Sequence, residues 1–171
     1  TQDVTFGAVS SGRNIDLANV EEVVGPCYNI IPVRVQLQTT WTALELLCSV
    51  QAQMAESTAY DYLGFRQIAE TCALWAPEND FFDSIVHHQD FEDFDSMPFA
   101  DVTCKVDILN PHGDAAHPFK AVTFSKEGKL HVGVVGSERD SARVEEILER
   151  FAGVVEEVAR GAETSLKLVF E

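Results

Sequence analysis

Alternation and three–four spacing of apolar residues divide the chain into recognisable elements. Val4 to Ser10 is a short apolar run closed by Ser11-Gly12-Arg13-Asn14, which predicts a strand and then a turn. Asn19 is placed to cap a short helix through Val24, with Glu21 and Glu22 in its first turn and Gly25 ending it. From Tyr28 to Leu37 the residues are mostly β-branched, aromatic or long and aliphatic, the strongest strand signal in the chain. Pro32 lies inside that run. Because proline has no N–H to give a central ladder, the strand is expected to be bulged, edge-like or bridging.

Thr39 or Thr40 opens a helix that runs to about Ser57. Trp41, Leu44, Leu47, Cys48, Val50 and Met54 recur at three–four spacing with Leu46 beside them, predicting one packed face with the glutamines toward water. A second helix, from about Gly64 to Ala73, aligns Phe65, Ile68 and Cys72, and Pro77 stops the region. Phe81 to Phe91 reads as a buried strand, followed by an acidic loop through Ser96 and by Pro98. Between Asp101 and Leu109, Val102, Cys104, Val106 and Ile108 alternate with polar residues, predicting a strand with one dry face. Pro111 to Asp114 is turn chemistry. Phe119–Ser125 and Lys129–Val135 flank Lys126-Glu127-Gly128 as an antiparallel hairpin. Asp140 or Ser141 caps a helix through Arg160, with a stripe of Val144, Ile147, Leu148, Phe151, Val154, Val155 and Val158. Thr164 to Glu171 is a tail with room for one more strand. This order predicts an α/β (α+β) architecture, in which long helices pack on one face of a mixed, mostly antiparallel sheet.

Composition narrows the function. The 171 residues suffice for one domain or one lobe, and no linker-like or repeated segment divides them. With 28 acidic against 12 basic side chains the formal charge is −16, which repels phosphate backbones and anionic membranes, so no nucleic-acid and no membrane partner is expected. Cys27, Cys48, Cys72 and Cys104 are too widely spaced for a metal knuckle and are expected to be buried free thiols. No signal-like segment opens the chain and no apolar run is long enough to span a bilayer, so a cytoplasmic location is expected.

One stretch carries a resemblance to a known family. Val24-Gly25-Pro26-Cys27-Tyr28-Asn29-Ile30-Ile31-Pro32-Val33-Arg34 resembles the (I/V)GxFVNTxPxR motif of nonribosomal peptide synthetase condensation domains, with Asn29, Pro32 and Arg34 in the family's places. Upstream, Phe6 to Arg13 resembles the family's FGxxxxGR strand; downstream, Tyr60 to Arg66 stands where the family has HQDxPFE, with Phe65 kept. Asn79 to Asp90 resembles the family's NPLF strand, and the divergent PCYN and VHHQD forms look most like fungal members. The resemblance implies one chloramphenicol acetyltransferase-like lobe, the C-terminal one, spanning residues 1–171, with residues 24–37 as a segment that crosses between lobes and floors the cleft.

The same resemblance implies chemistry. A complete domain joins a carrier-bound acyl or peptidyl thioester, held on a phosphopantetheine arm, to the amine of a second carrier-bound amino acid. Its catalytic HHxxxDG motif belongs to the N-terminal lobe. His87-His88 is a look-alike here, since the acid falls one residue late at Asp93 and Phe94 replaces glycine. No catalytic residue is therefore assigned, and the chain alone is expected to be inactive. Ser11, Arg13, Tyr28 and Asn29 are implied to line the substrate channel, with Asn29 fixing backbone of the crossing loop or meeting substrate. Arg34 is expected to hold an acidic neighbour, and Asp61 to cap a helix. The implied partners are the N-terminal lobe and peptidyl carrier proteins.

Other readings stay open at this point. A C-terminal lobe of an epimerisation domain or of a terminal cyclising domain fits the same motifs, and a noncatalytic module that docks carrier proteins is a further alternative. His88, Asp90 and Glu92 share a strand face and form a rival metal set, but none is assigned. Ser10 and Ser11 sit in no GxSxG elbow.

Overall fold

The computed structural model describes residues 2–72, 82–89, 96–105, 119–126, 128–136, 140–161, 163, 165 and 166. In chain order these form β1 (Asp3–Ser10), β2 (Asn29–Gln36), α1 (Ala43–Ser57), α2 (Phe65–Cys72), β3 (Ser84–Gln89), β4 (Ser96–Phe99), β5 (Val102–Lys105), β6 (Phe119–Lys126), β7 (Lys129–Gly136) and α3 (Ser141–Arg160). Single 3₁₀ turns cover Val20–Glu22 and Thr58–Tyr60. The main sheet has the order β2-β1-β3-β6-β7, and β4 pairs only with β5. Its outer pairs, β1–β2 and β6–β7, are antiparallel, whereas β1–β3 and β3–β6 are parallel. With the β4–β5 pair, antiparallel pairings outnumber parallel ones among the described residues, and the α/β class with a mixed sheet is the one expected.

β1 and β2 pair along their whole length, from Asp3↔Gln36 to Ser10↔Asn29. Period-2 alternation puts Phe6 and Ala8 of β1 with Ile31, Val33 and Val35 of β2 on one face, where Leu37, Leu46 and Val50 cover them. Val33 is 1% exposed and is the centre of this core. The opposite strand edge explains Pro32. Arg34 donates its N–H to Gln53 Oε1 at 3.0 Å and accepts from Gln53 Nε2 at 2.8 Å, so its backbone turns away from β1. Pro32, two residues earlier, turns the same way, and its missing N–H leaves no gap in the ladder.

Helix α1 starts later than the threonine pair suggested. Thr42 is the cap: its hydroxyl accepts from the Glu45 N–H at 3.3 Å while the Glu45 carboxylate accepts from the Thr42 N–H at 2.8 Å. The packed face also differs from the expected stripe. Ala43 is fully buried and Leu46, Val50 and Gln53 turn toward β2, while Leu44, Leu47 and Met54 stay at least 40% exposed and Cys48 is exposed. Two interleaved three–four patterns run along this helix. The one with the small Ala43 and the edge-binding Gln53 faces inward, because both allow close approach to the sheet.

Other expectations shift for local reasons. Asn19 has φ +60° and makes no side-chain cap bond, so only the 3₁₀ turn Val20–Glu22 follows it. A capping residue needs extended backbone, which this left-handed one denies. In β5, Val102 and Cys104 are exposed rather than dry, because the β4–β5 ribbon has no layer over it among the described residues; Val106 and Ile108 lie outside them. Cys27 is half-buried and Cys48 and Cys104 are exposed free thiols, against the expectation of buried ones. The β6–β7 hairpin and α3 follow the expected boundaries to within a residue, and α3 rests its apolar stripe against β7. Asp140 itself makes no cap bond. The tail contributes one bridge, Thr42↔Ser165, and Leu166 donates its N–H to Trp41 O at 3.0 Å; residues 167–171 lie outside the description.

Thr42→Ala removes the hydroxyl half of the capping box, leaving the Thr42 N–H on Glu45, and is expected to cost about 1 kcal/mol, read as a lower urea midpoint at unchanged slope. An unchanged midpoint counts against this start of α1.

Candidate functional site at the end of the β1 and β2 ladder

Ser10 and Asn29 form the last pair of the β1–β2 ladder and project on the same face. Both reach the segment after α1. The Ser10 hydroxyl donates to Asp61 Oδ2, and Asn29 Nδ2 donates to the backbone carbonyls of Asp61 at 2.8 Å and Leu63 at 2.7 Å. Asn29 also accepts from the Ile30 N–H at 2.9 Å, so its whole amide is committed to backbone. Asp61 is 1% exposed, and its Oδ1 has no donor among the described residues. It is not the helix cap expected from sequence but a buried tether between α1 and the strand ends. An unpaired buried oxygen costs roughly 1–3 kcal/mol, so the position is not tuned for stability.

The loop from Ser11 to Tyr28 is shaped by two residues of the FGxxxxGR segment. Gly12 has φ +66°, and a Cβ there would stand 1.7 Å from Cys27 O, so the two arms of the loop cross with no space for a side chain. Gly7 is constrained by side chains alone: a Cβ there would lie 2.7 Å from both Ile30 Cγ2 and Phe82 Cδ2. The Arg13 guanidinium donates to Val20 O at 2.7 Å and Gly25 O at 3.1 Å, lacing the loop from within. Ser11 Oγ accepts from the Arg13 N–H at 3.2 Å, and the residue is exposed at the loop entrance. Tyr28 is 68% exposed, and with Tyr60 and Tyr62 it leaves three exposed phenol rings on the segments that Asn29 joins. Of the four expected channel residues, Arg13 and Asn29 thus bind backbone, while Ser11 and Tyr28 face outward.

The other candidates lie elsewhere. Arg34 holds Asp3, as expected: Nε to Oδ1 is 2.9 Å and Nη2 to Oδ2 is 2.6 Å. These bonds lower the Asp3 carboxyl to about 2. Arg34 also borders a cleft of about 360 Å³ with Trp41, Gln38 and Ser49, toward the opposite end of the ladder from Ser10 and Asn29. His88 Nδ1 lies 2.8 Å from Thr123 Oγ1, so the ring is joined to β6 rather than to Ser10 or Asp61. On the strand's other face, burial, then Lys120 and His88, push the His87 imidazole below its ordinary pKa. Asp90, Glu92, Asp93 and Phe94 lie outside the described residues, and no group of three metal-binding side chains occurs within them. No described helix is long and apolar enough to cross a membrane.

Two outcomes follow. Gly12→Ala forces a left-handed alanine into Cys27 O and is expected to lower stability by about 2 kcal/mol or more, measured by thermal unfolding. His87 binds its proton less readily when folded, so its contribution is present above the ordinary histidine pKa and fades as pH falls below it. His87→Gln is expected to flatten the loss of stability between about pH 7 and pH 5, and an unchanged slope refutes that role for His87.

Comparison with known proteins agrees with the sequence motifs. The family model described as condensation domain matches residues 1–169. The chain is 58% identical over 159 residues to nonribosomal peptide synthetase sidD of Aspergillus fumigatus, covering 93% of this chain and 8% of that protein. It is 38% identical over 154 residues to nonribosomal peptide synthetase 1 of Ajellomyces capsulatus, covering 90% of this chain and 8% of the relative. It therefore spans under a tenth of the curated relatives, both of them fungal. Among solved structures, the holo T3CT crystal structure superposes with a TM-score of 0.83 at 23% identity, over 97% of this chain and 39% of that one. The first condensation domain of the calcium-dependent antibiotic synthetase, in complex with a substrate analogue, gives 0.68 at 14% identity, over 100% of this chain and 37% of that one. Those two likenesses bear on the fold alone, whereas the match over residues 1–169 and the fungal relatives settle the kinship: this chain belongs to the condensation-domain family of nonribosomal peptide synthetases.

Proposed function

We propose that residues 1–171 are the C-terminal lobe of a two-lobed condensation domain, with residues 24–37 flooring the cleft between the lobes. The complete domain joins a thioester on the phosphopantetheine arm of one carrier protein to the amine of an amino acid on a second. The C–N bond of an amide forms as the thioester C–S bond breaks, and the amine proton passes by way of a histidine supplied by the N-terminal lobe to the departing thiolate, which leaves as the thiol of the first arm. Ser11 and Tyr28 face the channel, Arg13 and Asn29 hold the backbone from which they project, and the Ser11 hydroxyl is placed to donate to developing oxyanion charge.

The observation that carries this reading is the β4–β5 ribbon. Met97↔Cys104 and Phe99↔Val102 are cross-strand pairs on a single face. Met97 is 53%, Phe99 70% and Val102 60% exposed. A two-stranded ribbon is marginal alone in water, and an apolar face this open marks a docking surface. The rest of the domain is the partner of matching chemistry, since the chain aligns over nearly its full length with well under half of the condensation structures it resembles. The −16 charge disfavours the alternative of a free-standing module that binds acidic carriers tightly.

With both carriers loaded, the isolated chain is expected to form no amide, and amide formation by it would falsify the reading. In the complete domain, Ser11→Ala is expected to lower turnover about tenfold or more. Phe99→Asp is expected to loosen a separately expressed N-terminal lobe, read as weaker co-purification. Wild-type retention of that lobe would remove the ribbon from the argument.

A further inference from the structure

We infer that Asp61 is a positioning residue for this site: its side chain fixes the end of β1, and its backbone carbonyl shares with that of Leu63 the amide that fixes the start of β2, so the places of Ser11 and Tyr28 depend on it. The inference rests on the proposed channel role of those two residues. Ser10 and Asn29 are the final ladder pair, and past them the strands separate into the loop. Asp61 holds that final pair through Ser10 Oγ–H on Oδ2 and Asn29 Nδ2 on its carbonyl, with a second bond from Asn29 Nδ2 to Leu63 O. Asp61 is itself fixed from behind, its N–H donating to Thr58 O at 3.3 Å in the 3₁₀ turn that ends α1.

The choice of residue is informative. A carboxyl kept 1% exposed, with one hydroxyl on it and Oδ1 without a donor among the described residues, is a poor anchor by the standards of folding alone. Departures of this kind belong to places where geometry is held for a purpose. Asp61 also joins elements far apart in sequence: the turn that ends α1, whose Leu46 and Val50 cover the core, and the ladder end that opens the floor segment. Any shift of α1 is thereby passed to Tyr28 and Ser11.

The test uses the complete condensation domain with loaded carriers. Asp61→Ala is expected to lower kcat about tenfold or more with KM for either carrier changed less than about threefold, because a misplaced wall impairs the reaction more than encounter. Asp61→Asn keeps an acceptor for Ser10 and is expected to recover kcat to within about threefold of wild type. Ser10→Ala is expected to lower kcat in the same direction, and the double variant to be no worse than Asp61→Ala, since both remove one contact. Amide exchange over residues 11–28 is expected to quicken in Asp61→Ala. A folded Asp61→Ala domain with wild-type kcat, or additive effects of the two changes, overturns the inference. Where Asp61→Ala does not fold, Ser10→Ala and Asp61→Asn carry the same test, and a wild-type kcat in Ser10→Ala overturns it. Quickened exchange in Asp61→Ala, together with wild-type turnover in both Ser11→Ala and Tyr28→Ala, upholds the anchoring and removes the channel reading beneath it.

Discussion

The antiparallel ladder between β1 and β2 is the constraint on which the rest of the molecule depends. Its register, Ser10↔Asn29 to Asp3↔Gln36, puts Ala8, Ile31, Val33 and Val35 under α1. A slip by one residue sends all of them to the other face. The same register places Gly7 where Ile30 and Phe82 leave no room for a side chain, and delivers Ser10 and Asn29 together at one end. Core, helix docking and candidate site are three consequences of one pairing.

At that end, most polar chemistry is spent on shape. Arg13 is occupied by Val20 O and Gly25 O, and Asn29 by Asp61 and Leu63 carbonyls. A guanidinium and an amide that look like ligand-binding groups in a sequence are here substitutes for secondary structure, satisfying carbonyls that a loop cannot pair by itself. What remains turned outward, the Ser11 hydroxyl and the phenol of Tyr28, is held by these bonds on a loop that would otherwise wander.

The strands were legible because alternation is a local signal: Val4–Ser10, the Tyr28 run and the Phe119–Val135 hairpin stand within a residue or two of their observed bounds. So were the ion pair of Arg34 and the edge position of Pro32, since each rests on one residue's own chemistry. The packed face of α1 was not, because Leu44, Leu47 and Met54 are larger than Ala43 and Gln53, and only the sheet edge decides between the two patterns. Asp61 was hidden for a related reason. Its partner Ser10 is 51 residues away in the chain, and nothing between them marks the meeting. The wetness of Val102 and Cys104 was equally unreadable: alternation reports a face that wants covering, not whether a layer of this chain covers it.

The outer rim of β2 carries a last implication. Ile30 N–H is taken by Asn29 Oδ1, Pro32 has none to offer, and Arg34 is sealed on both sides by the Gln53 amide. Successive N–H places from Ile30 to Arg34 along this border are thus occupied or blank, and a foreign strand finds no donor there. Such self-sealing protects the edge from pairing with another chain while the sheet is still forming.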